Sequence, residues 1–317
     1  PRDAEFALMP GHGSRRTAKF IEFAAMTRQD WQRTMIYSWV EFDGLMYLQQ
    51  NCVAGIDQLL KKAVTDGGDS IKGICFNHWR NAENQTTAKY AALATLTGEL
   101  DENKFYRLYA SSRGIGEVND YVKAMTRLDE TDFRSTEELP NIGFCVYGCW
   151  GDTGLGYFKI WDPKKIESIR QEYQTVNDLL GKCLENSKSD VGRNYLAFLR
   201  NRLACTTTYL DAMRKGSELQ LVIGNKLPEN RGEYDPKAVD RICGETRALL
   251  DNYMARHAEY MVDRGCEGTL ISLYHTPPAV LKQIQMQYGT SGTKIESTIK
   301  DDNPDEPASP IKANEKK

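Results

Sequence analysis

Two short apolar runs in the first hundred residues, each followed by helical periodicity, constrain the fold of this chain more than any other feature. Met35-Ile36-Tyr37-Ser38-Trp39-Val40-Glu41-Phe42 is rich in aromatic and β-branched residues and reads as a buried strand. Asp43-Gly44 closes it with turn chemistry. From 45 to 65 apolar residues recur at steps of three and four (Val53, Ile56, Leu59, Leu60, Ala63), which predicts a helix that Asp66-Gly67-Gly68 stops. Ile71-Lys72-Gly73-Ile74-Cys75-Phe76 reads as a second strand. The loop Asn77-His78-Trp79-Arg80 follows it, then an alanine-rich helix over 85–97 that ends at Gly98. Strand, loop and helix in this repeated order build a parallel sheet with right-handed connections. Two such units cannot close a barrel of eight, so the reading expects the terminal units of a (β/α)8-type barrel whose remainder lies upstream. Phe6-Ala7-Leu8-Met9 is a further strand candidate, followed by a helix over about 15–26.

The character changes after about residue 100. Helices are expected over 102–112 and 116–129, and the Gly- and aromatic-rich stretch from Pro140 to Trp161 reads as an irregular loop. Three long seams follow. One runs Ile166, Ile169, Tyr173, Val176, Leu180, Cys183 and the next Leu196, Leu199, Leu203, Thr206, Leu210, Met213. The third occupies 236–263, with Gly265 just past its end. Alternating steps of three and four are the pattern of a helical bundle, and these stripes read as core packing. The expected fold class is therefore α/β followed by all-α. Residues 1–100 form the C-terminal portion of a barrel and 101–164 a helical connector with its loop. Residues 165–300 form the bundle. The Pro-, Asp- and Lys-rich segment 301–317 is a disordered tail.

Composition narrows the partners. A net charge of −3 gives no global reason to expect nucleic acid, and no run of apolar residues is long enough to span a bilayer. The chain opens on Pro1 without a basic segment and apolar core, so no signal peptide is read in it. The eight cysteines form no CxxC pair and read as buried free thiols, with no metal and no cofactor expected. Gly11-His12-Gly13-Ser14-Arg15-Arg16 lacks the Gly-Lys-Ser/Thr ending of a phosphate-binding P-loop. His257 and His275 read as structural.

In parallel barrels chemistry sits at the C-terminal ends of the strands. Here those ends concentrate Trp39, Glu41 and Asp43, which alternation places on one side of the strand, and Asn77, His78, Trp79, Arg80 and Glu83. Indole faces stack on pyranose rings and carboxylates accept pairs of hydroxyl hydrogen bonds, so the mixture suits a sugar. Glu41 and Asp43 are the candidate catalytic carboxyls, since glycoside hydrolysis needs one acid and one base or nucleophile. Trp39, Asn77, His78, Trp79, Arg80 and Glu83 are the candidate substrate-binding groups. Other roles stand beside these. Either carboxylate is also suited to cap the next helix, His78 to hydrogen-bond a neighbour, and Arg80 to pair with Glu83 or another acid.

The runs Ser38-Trp39-Val40-Glu41-Phe42-Asp43-Gly44 and Gly73-Ile74-Cys75-Phe76-Asn77-His78-Trp79-Arg80-Asn81-Ala82-Glu83-Asn84 resemble the last barrel strands of a glycoside-hydrolase-like protein. The type is found in polysaccharide-degrading gut Bacteroidetes. Lys104-Phe105-Tyr106-Arg107-Leu108-Tyr109-Ala110 and the later helices resemble the helical C-terminal domain of that group, akin in architecture to β-N-acetylhexosaminidases and α-glucuronidases. The resemblance implies an exo-acting hydrolase with a sugar site at the barrel mouth, a glycan partner and a periplasmic or secreted location. It assigns a catalytic role to no single residue. Two other function classes remain. One is a glycan-binding or scaffolding protein with a degenerate barrel, and the other a helical interaction module built on 165–263.

Overall fold

The computed structural model of the chain describes residues 6–8, 34–42, 44–67, 71–78, 80–98, 101–143 and 154–291. The expected helix over 15–26, the loop at 11–16, Asp43, Trp79, most of the Gly-rich loop and the tail lie outside the described residues. Three strands, β1 (Phe6–Leu8), β2 (Thr34–Trp39) and β3 (Ile71–Asn77), form one parallel sheet in the order β1-β2-β3. Parallel neighbours that follow each other in sequence require a crossover between them. The helix α1 (Val53–Lys62) lies in the second crossover and packs on one sheet face. There Ile36 meets Leu59 and Ala63, with Ile74 and Phe76 against them.

Helix α1 starts later than the expected 45, because residues 44–52 are held open by their own amides. Gln50 takes the Phe42 N–H on Oε1 at 2.6 Å and donates to the carbonyls of Phe42 and Leu45 at 2.9 and 3.0 Å. Asn51 donates to Tyr106 Oη at 2.7 Å and to the Met125 carbonyl at 3.1 Å. These bonds satisfy buried backbone that a helix would otherwise have paired. The first residues of α1 have no local side-chain cap, and the Asp129 carboxylate accepts the Ala54 N–H instead, at 2.8 Å. Helix α2 (Gln85–Thr97) ends at Gly98, whose φ of +72° is the left-handed conformation glycine adopts without penalty.

The remaining described α-helices are α3 (Glu102–Arg113), α4 (Val118–Glu138), α5 (Pro163–Glu185), α6 (Asp190–Ile223), α7 (Pro236–Ala258), α8 (Arg264–His275) and α9 (Pro277–Tyr288). Helix α4 continues to 138 where apolar periodicity ends near 129, because its buried face turns polar. Thr131, Ser135 and Thr136 are buried there, and each donates its hydroxyl to the carbonyl four residues back. Helix α7 closes at Ala258, short of the expected 263. Gly265 lies inside α8, which begins there because Asp263 caps it, accepting the Cys266 N–H at 2.8 Å. Pro277 and Pro278 occupy the first turn of α9, where a missing N–H costs nothing.

One hydrophobic core runs from Val40 and Phe42 through Tyr90, Tyr106 and Tyr173 to Val280 and Ile284. It crosses residues 100 and 164 without a break, so the segment after the sheet and the bundle share one interior. Among the described residues five cysteines are buried free thiols and Cys75 is an exposed one. No described helix is long and apolar enough to cross a membrane.

Candidate functional site at the strand ends

Alternation along β2 separates two faces. Ile36, Ser38 and Val40 are buried toward α1, while Met35 is 39% exposed and Tyr37 and Trp39 are half-buried. In register with these three lie Gly73, Cys75 and Asn77 of β3. Cys75 is exposed and Asn77 half-buried, so among the described residues this second face is incompletely covered. Trp39 pairs with Asn77 at the carboxyl ends of both strands, and the Val40 N–H donates to the Asn77 carbonyl at 3.0 Å. His78 follows directly and is exposed. Trp39, Asn77 and His78 are therefore the described candidates that sit at accessible strand ends.

Glu41 is placed differently. The alternation expected to set it beside Trp39 stops where β2 ends at Trp39, and Glu41 turns inward with 0% exposure. Its Oε2 accepts Arg80 Nε at 3.0 Å and Asn84 Nδ2 at 2.6 Å, and its Oε1 takes the Arg80 N–H at 3.3 Å. The Arg80 Nη1 donates to the carbonyls of Met46 and Leu48 at 2.6 and 3.0 Å. Burial alone would lower the Arg80 pKa, but Glu41 and Glu83 outweigh it and hold the guanidinium above its ordinary value. Of the alternatives open for Arg80, the salt bridge is what the geometry shows, with Glu41 as the partner. The reading of Glu41 as a direct catalytic group expected it open to the barrel mouth, and here Arg80 and Asn84 hold it inside the fold.

Glu83 is also internal, 5% exposed. Its Oε1 accepts Arg202 Nε from α6 at 3.1 Å and lies 3.9 Å from His257 Nε2 of α7 and 3.6 Å from Cys266 Sγ of α8. Arg202 donates further to the carbonyls of His257 and Tyr260, at 3.2 and 2.7 Å. The Ala82 N–H donates to Asp263 Oδ2 at 3.0 Å. The loop after β3 is thus held on one side by the end of β2 and on the other by α6, α7 and α8. Arg80 and Glu83, expected on the substrate side, work inside the fold.

Glu83, Asp263 and Cys266 bring ligand-type atoms within 4.8 Å of one another. Arg202 already supplies the positive charge: it donates to Glu83 and, at 3.3 Å, to Cys266 Sγ. Asp263 spends both oxygens on backbone N–H groups. Burial holds the Cys266 thiol above its ordinary value, which disfavours the thiolate a metal requires. The cluster is a guanidinium-centred charge network.

Asn84, Arg202 and Asp263 escaped the sequence reading, which had His257 as structural and Cys266 as a buried thiol without placing either beside Glu83. The signal available for Arg202 was a cation beside the seam residues Leu199, Leu203 and Thr206, where an unpaired charge would be costly. His257 is 1% exposed and stacks on Tyr253, ring centroids 5.7 Å apart at 19°. Burial, with Arg202 and Arg80 nearby, lowers its pKa to about 3. The unfolded chain then binds this proton more readily, so the stability His257 contributes is complete above pH 6.5 and is lost as pH falls toward 3. Between pH 6.5 and 5 the loss is expected to be about 2 kcal/mol. Urea unfolding at the two pH values measures it, and a His257→Leu variant should lose that part of the slope. An unchanged slope contradicts the assignment.

No protein-family model matches this chain, and no curated protein matches it. Among solved structures, a GH138 enzyme targeting pectin rhamnogalacturonan II is similar, with 10% sequence identity and a TM-score of 0.44 over 84% of this chain. The match covers 49% of that enzyme, so this chain spans about half of its length. A likeness of that strength carries no weight for fold or activity.

Proposed function

We propose that this chain is part of a glycan-active protein of the barrel type, and that the carboxyl ends of β2 and β3 form one wall of its sugar site. The reaction would be exo-acting hydrolysis of a glycosidic bond. The observation that supports this reading most is the register pair Trp39–Asn77, half-buried at the ends of adjacent parallel strands with His78 exposed beside it. Ligands of parallel α/β sheets bind at that edge. An indole offers a flat apolar face to a sugar ring, while Asn77 and His78 offer donors and acceptors to its hydroxyls. Glu41, Arg80 and Glu83 then act as the floor that fixes this edge, and Asp43 remains the candidate carboxyl in the segment.

One observation favours the non-catalytic alternative. The two described strand-end carboxylates, Glu41 and Glu83, are both enclosed in ion pairs, and hydrolysis needs a pair that flanks the bond. Under that reading the same edge binds a glycan without cutting it. Hydrolysis of an aryl glycoside panel including N-acetylhexosaminides and glucuronides separates the two. The hydrolase reading expects one glycoside to be cleaved, with kcat/KM lowered about tenfold or more by Trp39→Ala and by His78→Ala, a loss of about 1.4 kcal/mol in transition-state binding. Binding of an oligosaccharide without cleavage selects the binding module. Neither binding nor cleavage removes the sugar-site reading.

A further inference from the structure

A groove of about 700 Å³ lies between α3, α4 and α5 and uses none of the strand-end residues. Its walls carry four cations, Arg107, Lys123, Arg127 and Arg134, against two carboxylates, Glu130 and Glu172. Two of the cations are already matched. Arg127 pairs with Glu172, and Arg134 pairs with Glu138 at 3.1 Å. Arg107 donates to the neutral Asn119 side chain at 2.7 Å. Among the described residues neither Arg107 nor Lys123 has a carboxylate within salt-bridge distance, and both are exposed. Asn103 and Asn119 add amide groups, and the Thr126 hydroxyl is buried behind the lining without a hydrogen-bond partner. Among the described residues Val122 is the only apolar one in the lining.

These features select a class of ligand. The volume suits a small molecule. A lining without aromatic residues does not suit a protein hot spot, and two carboxylates in the walls repel a polyanion. What remains complementary is a small, polyhydroxylated anion: the unmatched cations take its charge, and the amides and carboxylates take its hydroxyls. We propose that this groove is a binding site for an acidic sugar, with Arg107 and Lys123 holding its anionic group. The site is independent of the strand-end reading and stands whichever way the hydrolysis test falls.

Calorimetric titration of the whole chain with glucuronate, glucose 6-phosphate and glucose tests this, beside an Arg107→Ala/Lys123→Ala double variant. Both residues are exposed, so the core is spared, and a thermal melt checks the fold. Saturable binding of an acidic sugar, absent for glucose and weakened at least tenfold in the variant, is expected. Which acid binds identifies the anionic group as carboxylate or phosphate. Absence of saturable binding for both acids, equal binding of glucose, or equal affinity in the folded variant would overturn the proposal.

Discussion

Replacing Arg80 by alanine is expected to cost about 3–5 kcal/mol of folding stability, a large share of what a domain possesses. The reason is the state in which the variant leaves Glu41. That carboxylate has 0% exposure and would lose its guanidinium while staying out of water. The carbonyls of Met46 and Leu48 would lose a charged donor in the same step. Removing both charges together, Arg80→Met with Glu41→Leu, should recover a large part of the loss, because an apolar pair of similar volume carries no desolvation penalty. The residual deficit reports the two carbonyls together with the Asn84 amide and the backbone N–H of residue 80, which lose Glu41 as acceptor. Urea unfolding of the three proteins measures all of this. A loss below about 1 kcal/mol for Arg80→Ala would mean that Glu41 is not enclosed as described.

The second large effect concerns the joint between the sheet and the helices. Arg202→Ala is expected to destabilise by about 3–5 kcal/mol, since it strips Glu83 of its partner beside His257 and leaves the Tyr260 carbonyl without its donor. Arg202 belongs to α6 and Glu83 to the loop after β3, so the pair joins parts of the chain 119 residues apart. A double-mutant cycle with Glu83→Leu should give a coupling well above the few tenths of a kcal/mol of independent sites. The loop should also loosen, and amide exchange at residues 80–84 should accelerate more than in α5. A coupling near zero, with exchange unchanged, would show that the helices do not hold that loop.

How much was readable from the residues follows from what periodicity can sense. Strand β3, the helix over 85–97 with its glycine stop, and the first two long seams carry simple apolar repeats and appear where expected, while β2 ends at Trp39 before the expected Phe42 and the third long helix at Ala258 before 263. The segment 44–52 does not, because Gln50 and Asn51 satisfy backbone groups through bonds that no repeat encodes. Helices α8 and α9 hid behind Gly265 and two prolines, residues that end helices in one place and open them in another. At the strand ends, residue type showed which side chains were chemically capable but not which way they turned. Trp39, Asn77 and His78 stay at the accessible edge, whereas Glu41, Arg80 and Glu83 turn inward. Their partners come from sequence positions up to 183 residues away, as between Glu83 and Cys266, a distance that local pattern does not span.

A crystal structure of the protein soaked with the sugar released or bound in the glycoside panel would locate the sugar relative to the ends of β2 and β3. A pyranose ring stacked on Trp39 and hydrogen-bonded by Asn77 or His78 is expected, with Glu41 still paired to Arg80 beneath it. A sugar contacting the Glu41 carboxylate, with the Arg80 pair broken, would contradict the framework role; a sugar bound away from the ends of β2 and β3 would contradict the site itself.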